Sequence, residues 1–396
     1  MALEATPLLV DGDARERFAE DGYVILDNPC PAELLDDLRT EFEARFKDPW
    51  HPGPQVEVDG VVYDRNQRAG EWHWHRIKNA WKISDKARAV ALNESILETL
   101  ESLFGRKVMP FQTLNFPVGT QQSAHSDSFH FQSDPAGFMC GVWIALEDMD
   151  MENGPLVYYP GSHKLPLPTV SEIELQMGET LTPENYQTRD ELLMARNQLY
   201  ERYCARLLQR EDMQPEYGTI RKGQALVWAP NLLHGGAPQT DQSRSRHSQV
   251  THYFFEGCRV YTPMHSDGDH NFWYYPEWIR DPVPAYSEDF LRMTIEANVP
   301  RDAECLVLTN AELPNVDDRQ MKRFPTDDDG NYVHLPDDRA IEALEDARSR
   351  GARFIVIPKE RLQPLVYGMP RFQAHIEDKY RPVVRDGAVC AIYGLD

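Results

Sequence analysis

The chain has 396 residues, 41% of them hydrophobic and 27% charged, which suits one large domain with a packed core and a smaller second one. A net charge of −23 disfavours nucleic acid and anionic membranes as partners, because both demand a cationic footprint. The longest largely apolar run, Phe138–Leu146, falls well short of the roughly 20 residues of a membrane helix.

The N-terminus lacks a basic segment followed by an apolar stretch, so no secretory signal is read there. The six cysteines lie far apart with no CxxC pair, which argues against a zinc knuckle and a disulfide framework. A reducing, cytoplasmic setting is expected.

The opening predicts a short helix over Ala14–Asp21, a strand over Gly22–Leu26 and a helix over Pro31–Phe46, with Leu34, Leu35, Leu38 and Phe42 at helical spacing. Residues 48–75 are irregular. The run Trp72-His73-Trp74-His75 reads as an aromatic lid or simple packing, since no further metal ligands gather around its HxH. Arg76, Lys78, Lys82, Lys86 and Arg88 form a basic cluster, either a solvated helix face or a dock for an anionic substrate. A helix over Ser95–Phe104 ends at Gly105.

From Met109 to about Gly257 the pattern becomes stranded: Met109–Phe116, Gly137–Glu147, Pro155–Tyr159, Gln224–Ala229 and Ser248–Phe255, punctuated by turn residues. Short strands so bounded predict a sandwich or barrel. A helical insert over about 164–217, with a helix at Asp190–Gln209, is long enough to roof a pocket. A domain boundary near 289/290 precedes a small α/β accessory domain of unknown role. It reads strand Glu304–Leu308, helix Arg339–Arg350, strand Arg353–Ile357, helix at about Pro370–Tyr380 and hairpin Pro382–Tyr393.

The chemistry is carried by SAHSDSFHF, residues 123–131. Alternate side chains of an extended strand share a face, so His125 and Asp127 point together. A third ligand must come from elsewhere, and His234 is the best candidate, followed by Gly235-Gly236, which would let the backbone turn beside a site. Two histidines and one carboxylate leave three positions of an octahedral ion open, the arrangement of non-haem Fe(II) oxygenases. His130 is read as a neighbour of the site, not a ligand.

Arg244 and Arg246 precede the strand SQVTHYFF on one face. A co-substrate such as 2-oxoglutarate has a distal carboxylate that a buried arginine would anchor.

At these segments the chain resembles the phytanoyl-CoA dioxygenase family of Fe(II)/2-oxoglutarate oxygenases. The resemblance runs from about Phe18 to Phe255. It rests on FAEDGYVIL, AHSD, VWIALEDMDMENGPLVYYPGSHK and LLHGGAPQTDQSRSRHSQVTHYF. It implies a fold that is mainly β with flanking helices, a double-stranded β-helix or jelly roll. The implied iron ligands are His125, Asp127 and His234. The 2-oxoglutarate arginine falls at Arg246 counting back from Tyr253, and between Arg244 and Arg246 counting forward from His234. Arg246 is preferred because Ser248 then stands on the same face. Gln112 and Trp143 match positions that line the co-substrate pocket.

The implied cofactors are Fe(II), 2-oxoglutarate and O2, and the implied reaction is oxidation of a small molecule with release of succinate and CO2. Related halogenating enzymes lack the carboxylate ligand, so Asp127 favours hydroxylation. The C-terminal region resembles modules of bacterial surface-polysaccharide systems, which makes a carbohydrate- or lipid-linked substrate the runner-up. A cupin-like metal-binding protein that is no oxygenase is the other alternative, and Arg246 discriminates against it.

Overall fold

The strand MCGVWIA, Met139–Ala145, is buried along its whole length, as an apolar run without alternation requires when both faces of a sheet are covered. In the computed structural model, which describes residues 12–47, 56–58, 61–63, 76–266, 270–281, 288–316, 319–327 and 329–396, this strand lies inside an eight-stranded sheet. Across the sheet the order is Tyr23–Leu26, Ala225–Trp228, Met139–Ala145, Ser248–Phe255, Val108–Phe116, Arg76–Lys78, Val56–Val58 and Val61–Tyr63. A second sheet pairs His234–Gly236, Leu156–Tyr158 and Glu216–Tyr217, and His125 bridges to its edge at His234.

From Val108 onwards the chain alternates between these two sheets. It passes Val108–Phe116 in the larger, His125 at the smaller, Met139–Ala145 in the larger, and Leu156–Tyr158 then Glu216–Tyr217 in the smaller. Ala225–Trp228, His234–Gly236 and Ser248–Phe255 continue the alternation. That path is a double-stranded β-helix.

Side-chain alternation gives the large sheet two separate cores. Cys140, Val142, Ile144, Ala225, Val227, Tyr253 and Phe255 pack outward against Leu35, Leu38 and Phe42 of the Ala32–Lys47 helix and Ile96 and Leu100 of the Glu94–Phe104 helix. Trp143, Ala145, Leu226, Trp228, Val250, Leu114 and Phe116 face inward, against Leu156, Tyr158 and Leu232. Helix ends follow local chemistry: Asn93 accepts from the Ile96 N–H at one end of Glu94–Phe104, and Gly105 closes the other at φ +70°. The insert contains two α-helices, Val170–Met177 and Arg189–Arg210, each opened by a Thr–Glu capping box. The first of them is an addition to the sequence expectation.

The chain divides into two compact units, Met1–Arg259 with Ile279–Val283, and Val260–Trp278 with Pro284–Asp396. The division therefore falls earlier than the expected 289/290 boundary, because Val260–Trp278 belongs with the second unit.

That second unit holds a five-stranded sheet in the order Gln320–Phe324, Glu304–Leu308, Ala352–Pro358, Cys390–Gly394, Arg381–Asp386, with its first three strands parallel. Two of its elements escape a pattern reading. Gln320–Phe324 is an edge strand with no apolar run, and the Lys359–Gly368 helix carries Pro364 inside it. The Trp72–His75 run lies outside the described residues.

Candidate metal and co-substrate site

His125 and Asp127 do flank an extended residue, Ser126 at φ −115° and ψ 138°, so their side chains reach the same side. The regular strand expected over 123–131 is absent, however. His125 makes an isolated two-bond bridge with His234, and a 3-10 turn begins at Asp127. The turn forms because Ser126 Oγ accepts from the Ser128 N–H at 3.1 Å, while the same N–H meets Pro230 O at 3.1 Å. A facing count along a strand therefore does not reach His130, whose ring centre lies 6.1 Å from that of His125.

The bridge brings the third residue in directly: His125 N–H donates to His234 O and His234 N–H to His125 O, at 2.9 and 2.8 Å. Gly235 and Gly236 do not make the expected sharp turn. They continue the strand, and a Cβ on either would come within 2.6 Å of the backbone of Gln122 or Gln121.

One ligand atom from each of His125, Asp127 and His234 lies within 4.8 Å of the others, the one such group among the described residues. Both imidazoles are oriented by the backbone. Nδ1 of His125 meets Ser123 O at 2.9 Å, and Nδ1 of His234 meets Leu232 O at 2.9 Å. With the proton on Nδ1, each ring presents the Nε2 lone pair that a cation needs.

Burial, with His234 nearby, pushes His125 down to about 4, so it is neutral and ready to ligate at neutral pH. Burial works against the charge of Asp127, but His234 and His252 outweigh it and hold the carboxyl well below the usual carboxylate range. A neutral His125 and a fixed carboxylate suit one divalent ion.

The inner face of the large sheet carries the rest of the site in rows. Gln112, His252, Gly141 and Trp228 are lateral neighbours across four strands, followed by Leu114, Val250, Trp143 and Leu226, then Phe116, Ser248 and Ala145. Arg246 continues the series just before Ser248, with its N–H bonded to Pro117 O at 2.8 Å.

Arg246 is 3% exposed, and its Nε and Nη1 have no hydrogen-bond partner among the described residues. Ser248 Oγ and Trp143 Nε1 are likewise buried and unpartnered, and the guanidinium carbon lies 5.3 Å from the Trp143 ring centre. Burial lowers Arg246 to about 10, partly offset by Glu147, so it remains a cation at neutral pH. Arg244 behaves differently, pairing at the surface with Asp150 at 2.7 Å and Glu152 at 3.2 Å. Gln112 is drawn to His252, with its Oε1 3.1 Å from Nδ1.

Sequence reasoning missed Trp228, His252 and Tyr200. Trp228 Nε1 donates to Asp127 Oδ2 at 2.7 Å, and His252 Nε2 lies 3.4 Å from the same oxygen. Alternation from Arg246 through Ser248 and Val250 already places His252 on the inward face. Nothing in the sequence points to Tyr200, an insert-helix residue whose hydroxyl accepts from Ser126 N–H at 3.2 Å and whose ring stacks on Phe129 at 3.9 Å. A cavity of about 500 Å³ borders Ser128 and Ala229–Asn231 but includes none of the three metal-site residues.

A two-sheet β-helix with a His-Asp-His cluster between its sheets defines a jelly-roll metalloprotein. The model of the phytanoyl-CoA dioxygenase (PhyH) family matches residues 18–248, more than half of the chain, and the chain belongs to that family. Membership makes it an oxidoreductase of dioxygenase type with iron and 2-oxoglutarate as cofactors.

It is 23% identical over 259 residues to peroxisomal phytanoyl-CoA dioxygenase of Rattus norvegicus, covering 62% of this chain and 69% of that protein. The Bos taurus protein is also 23% identical, over 58% of this chain and 64% of its own length, so the chain spans about two thirds of these relatives. Among solved structures it is similar to iron-bound EctD from S. alaskensis (19% identity, 66% of this chain and 82% of that one, TM-score 0.46). It is also similar to the carbocyclase SnoK (16% identity, 63% and 86%, TM-score 0.45). Among the described residues no helix is long and apolar enough to cross a membrane.

Proposed function

We propose that the protein is an Fe(II)/2-oxoglutarate-dependent dioxygenase that hydroxylates a C–H bond of a small molecule, with release of succinate and CO2. His125, Asp127 and His234 hold the iron. The observation that carries the reading is Arg246: a buried cation with two unpartnered nitrogens is costly unless an anion meets it. Ser248 Oγ and Trp143 Nε1 point to the same unmet need. A dicarboxylate whose other end reaches the metal satisfies all three. A cupin-like site requires no such anchor.

Iron, 2-oxoglutarate and O2 together supply the oxidising power when bound, and the chain supplies position and exclusion of water. Arg246 and Ser248 grip the distal carboxylate, and the inward rows of Leu114, Val250, Leu226 and Phe116 keep the space between the sheets dry. Asp127 fills a position that halogenation would require to be open to chloride, which favours hydroxylation.

The test is anaerobic Fe(II) loading followed by 2-oxoglutarate, read as the weak visible charge-transfer band of the chelate. The band should appear, vanish in His234→Ala, and need far more 2-oxoglutarate in Arg246→Ala. Iron binding with no band on adding 2-oxoglutarate would remove the oxygenase reading.

A further inference from the structure

We propose that Trp228 and His252 are positioning residues that hold Oδ2 of Asp127, so that Oδ1 is the one carboxylate oxygen offered to the metal. The inference rests on the iron site proposed above. The two oxygens of Asp127 have different surroundings. Oδ2 receives the Trp228 indole N–H at 2.7 Å and lies 3.4 Å from His252 Nε2. Oδ1 faces His234, with Nε2 at 3.8 Å. Asp127 is only 6% exposed, so water does not compete for Oδ2.

Both holding groups are themselves fixed. His252 is 3% exposed, and its Nδ1 meets Gln112 Oε1 at 3.1 Å, which sets the plane of the ring. Trp228 is 2% exposed and lies over Gly141, its register partner, where a Cβ would come within 2.2 Å of the indole. Gln112, His252, Gly141 and Trp228 are one row across four strands, so a single row of the sheet brings an indole N–H and an imidazole nitrogen to one oxygen.

The consequence is a count of coordination positions. Two imidazoles and one carboxylate oxygen would occupy three positions of an octahedral ion and leave three for co-substrates. If Asp127 rotated to chelate through both oxygens, only two positions would remain. Holding Oδ2 elsewhere would keep the third one open.

Cobalt(II) serves as the probe, titrated anaerobically into the full chain against a competing chelator and followed by its visible d–d absorption. Trp228→Phe, checked for folding by near-ultraviolet circular dichroism, should bind cobalt about 10–100-fold more weakly than wild type. The band intensity should also change with the coordination number. In an Asp127→Ala background the same Trp228→Phe change should have no further effect, because the oxygen it acts on is gone.

Wild-type affinity and spectrum in Trp228→Phe overturn the proposal. So does an equal loss in both backgrounds, which would mean general damage. If Trp228→Phe fails to fold, His252→Gln takes its place with the same two criteria. A wild-type protein whose cobalt binding is indifferent to His234→Ala sinks the metal site itself, an outcome distinct from failure of the clamp alone.

Discussion

Arg246 and Arg244 stand two residues apart and do opposite things. Arg244 has its carboxylates within reach at the surface, while Arg246 is buried with unpartnered nitrogens. Charge-assisted hydrogen bonds are worth about 1.5–3 kcal/mol, and each 1.4 kcal/mol is tenfold in affinity. Arg246→Lys loses the planar fork but keeps the charge, so 2-oxoglutarate binding should weaken about 10-fold or more. Arg244→Lys should leave it within about twofold. Titrating 2-oxoglutarate into the iron-loaded variants checks both, and an unchanged Arg246→Lys would move the anchor elsewhere. Both arginines were visible in the sequence, but only their surroundings tell them apart, because burial at one position and solvent at the next is decided by what packs on the strand.

Gly141 shows how an element is built around a function. Its neighbours Cys140 and Val142 point to the helices, while it points inward under the Trp228 indole. Gly141→Ala forces the indole off its place, and overpacking of a filled core costs about 1–3 kcal/mol. Thermal unfolding should report that loss, and a variant as stable as wild type would show that the indole has room to move.

In the C-terminal unit, Glu345 joins helices Asp337–Ser349 and Pro370–Lys379. It accepts from His375 at 2.7 Å, Lys379 at 2.7 Å and the Tyr380 hydroxyl. Burial works to raise the Glu345 carboxyl, but the hydrogen bonds from Lys379, Tyr380 and His375 outweigh it and hold it at about 2. Its folded value is depressed, so its contribution is complete above its ordinary value near 4.5 and is lost as pH falls toward 2. Glu345→Gln should therefore be less stable than wild type by about 2 kcal/mol at pH 7, with the gap closing toward pH 2 in urea unfolding. A gap that persists at pH 2 would rule the carboxylate out as its source.

Across the whole molecule, charge bears on the substrate. The chain carries −23, and members of the 76–88 basic cluster are already paired: Lys86 with Glu41 at 3.2 Å, and Arg88 with Asp85 and Asp281 at 2.5 and 3.2 Å. A polyanionic acyl-CoA meets little uncompensated positive charge here, so succinate release should be stimulated by neutral or cationic small molecules and not by CoA thioesters. Tight, salt-sensitive CoA thioester binding would overturn that expectation.

The sequence by itself determined the strands and most helices, since apolar runs, capping residues and turn dipeptides act over a few neighbours. It also determined the ligand types, because His-x-Asp and a later His bring their chemistry wherever they fold. Tertiary structure alone decided that the HxD segment bends into a turn at Asp127, that Arg246 and not Arg244 is enclosed, and that Trp228 and His252 reach Asp127 while Tyr200 reaches Ser126, from three other elements. Hydrogen bonds between residues about a hundred positions apart leave no local pattern, because what fixes them is the pairing of strands across the sheets.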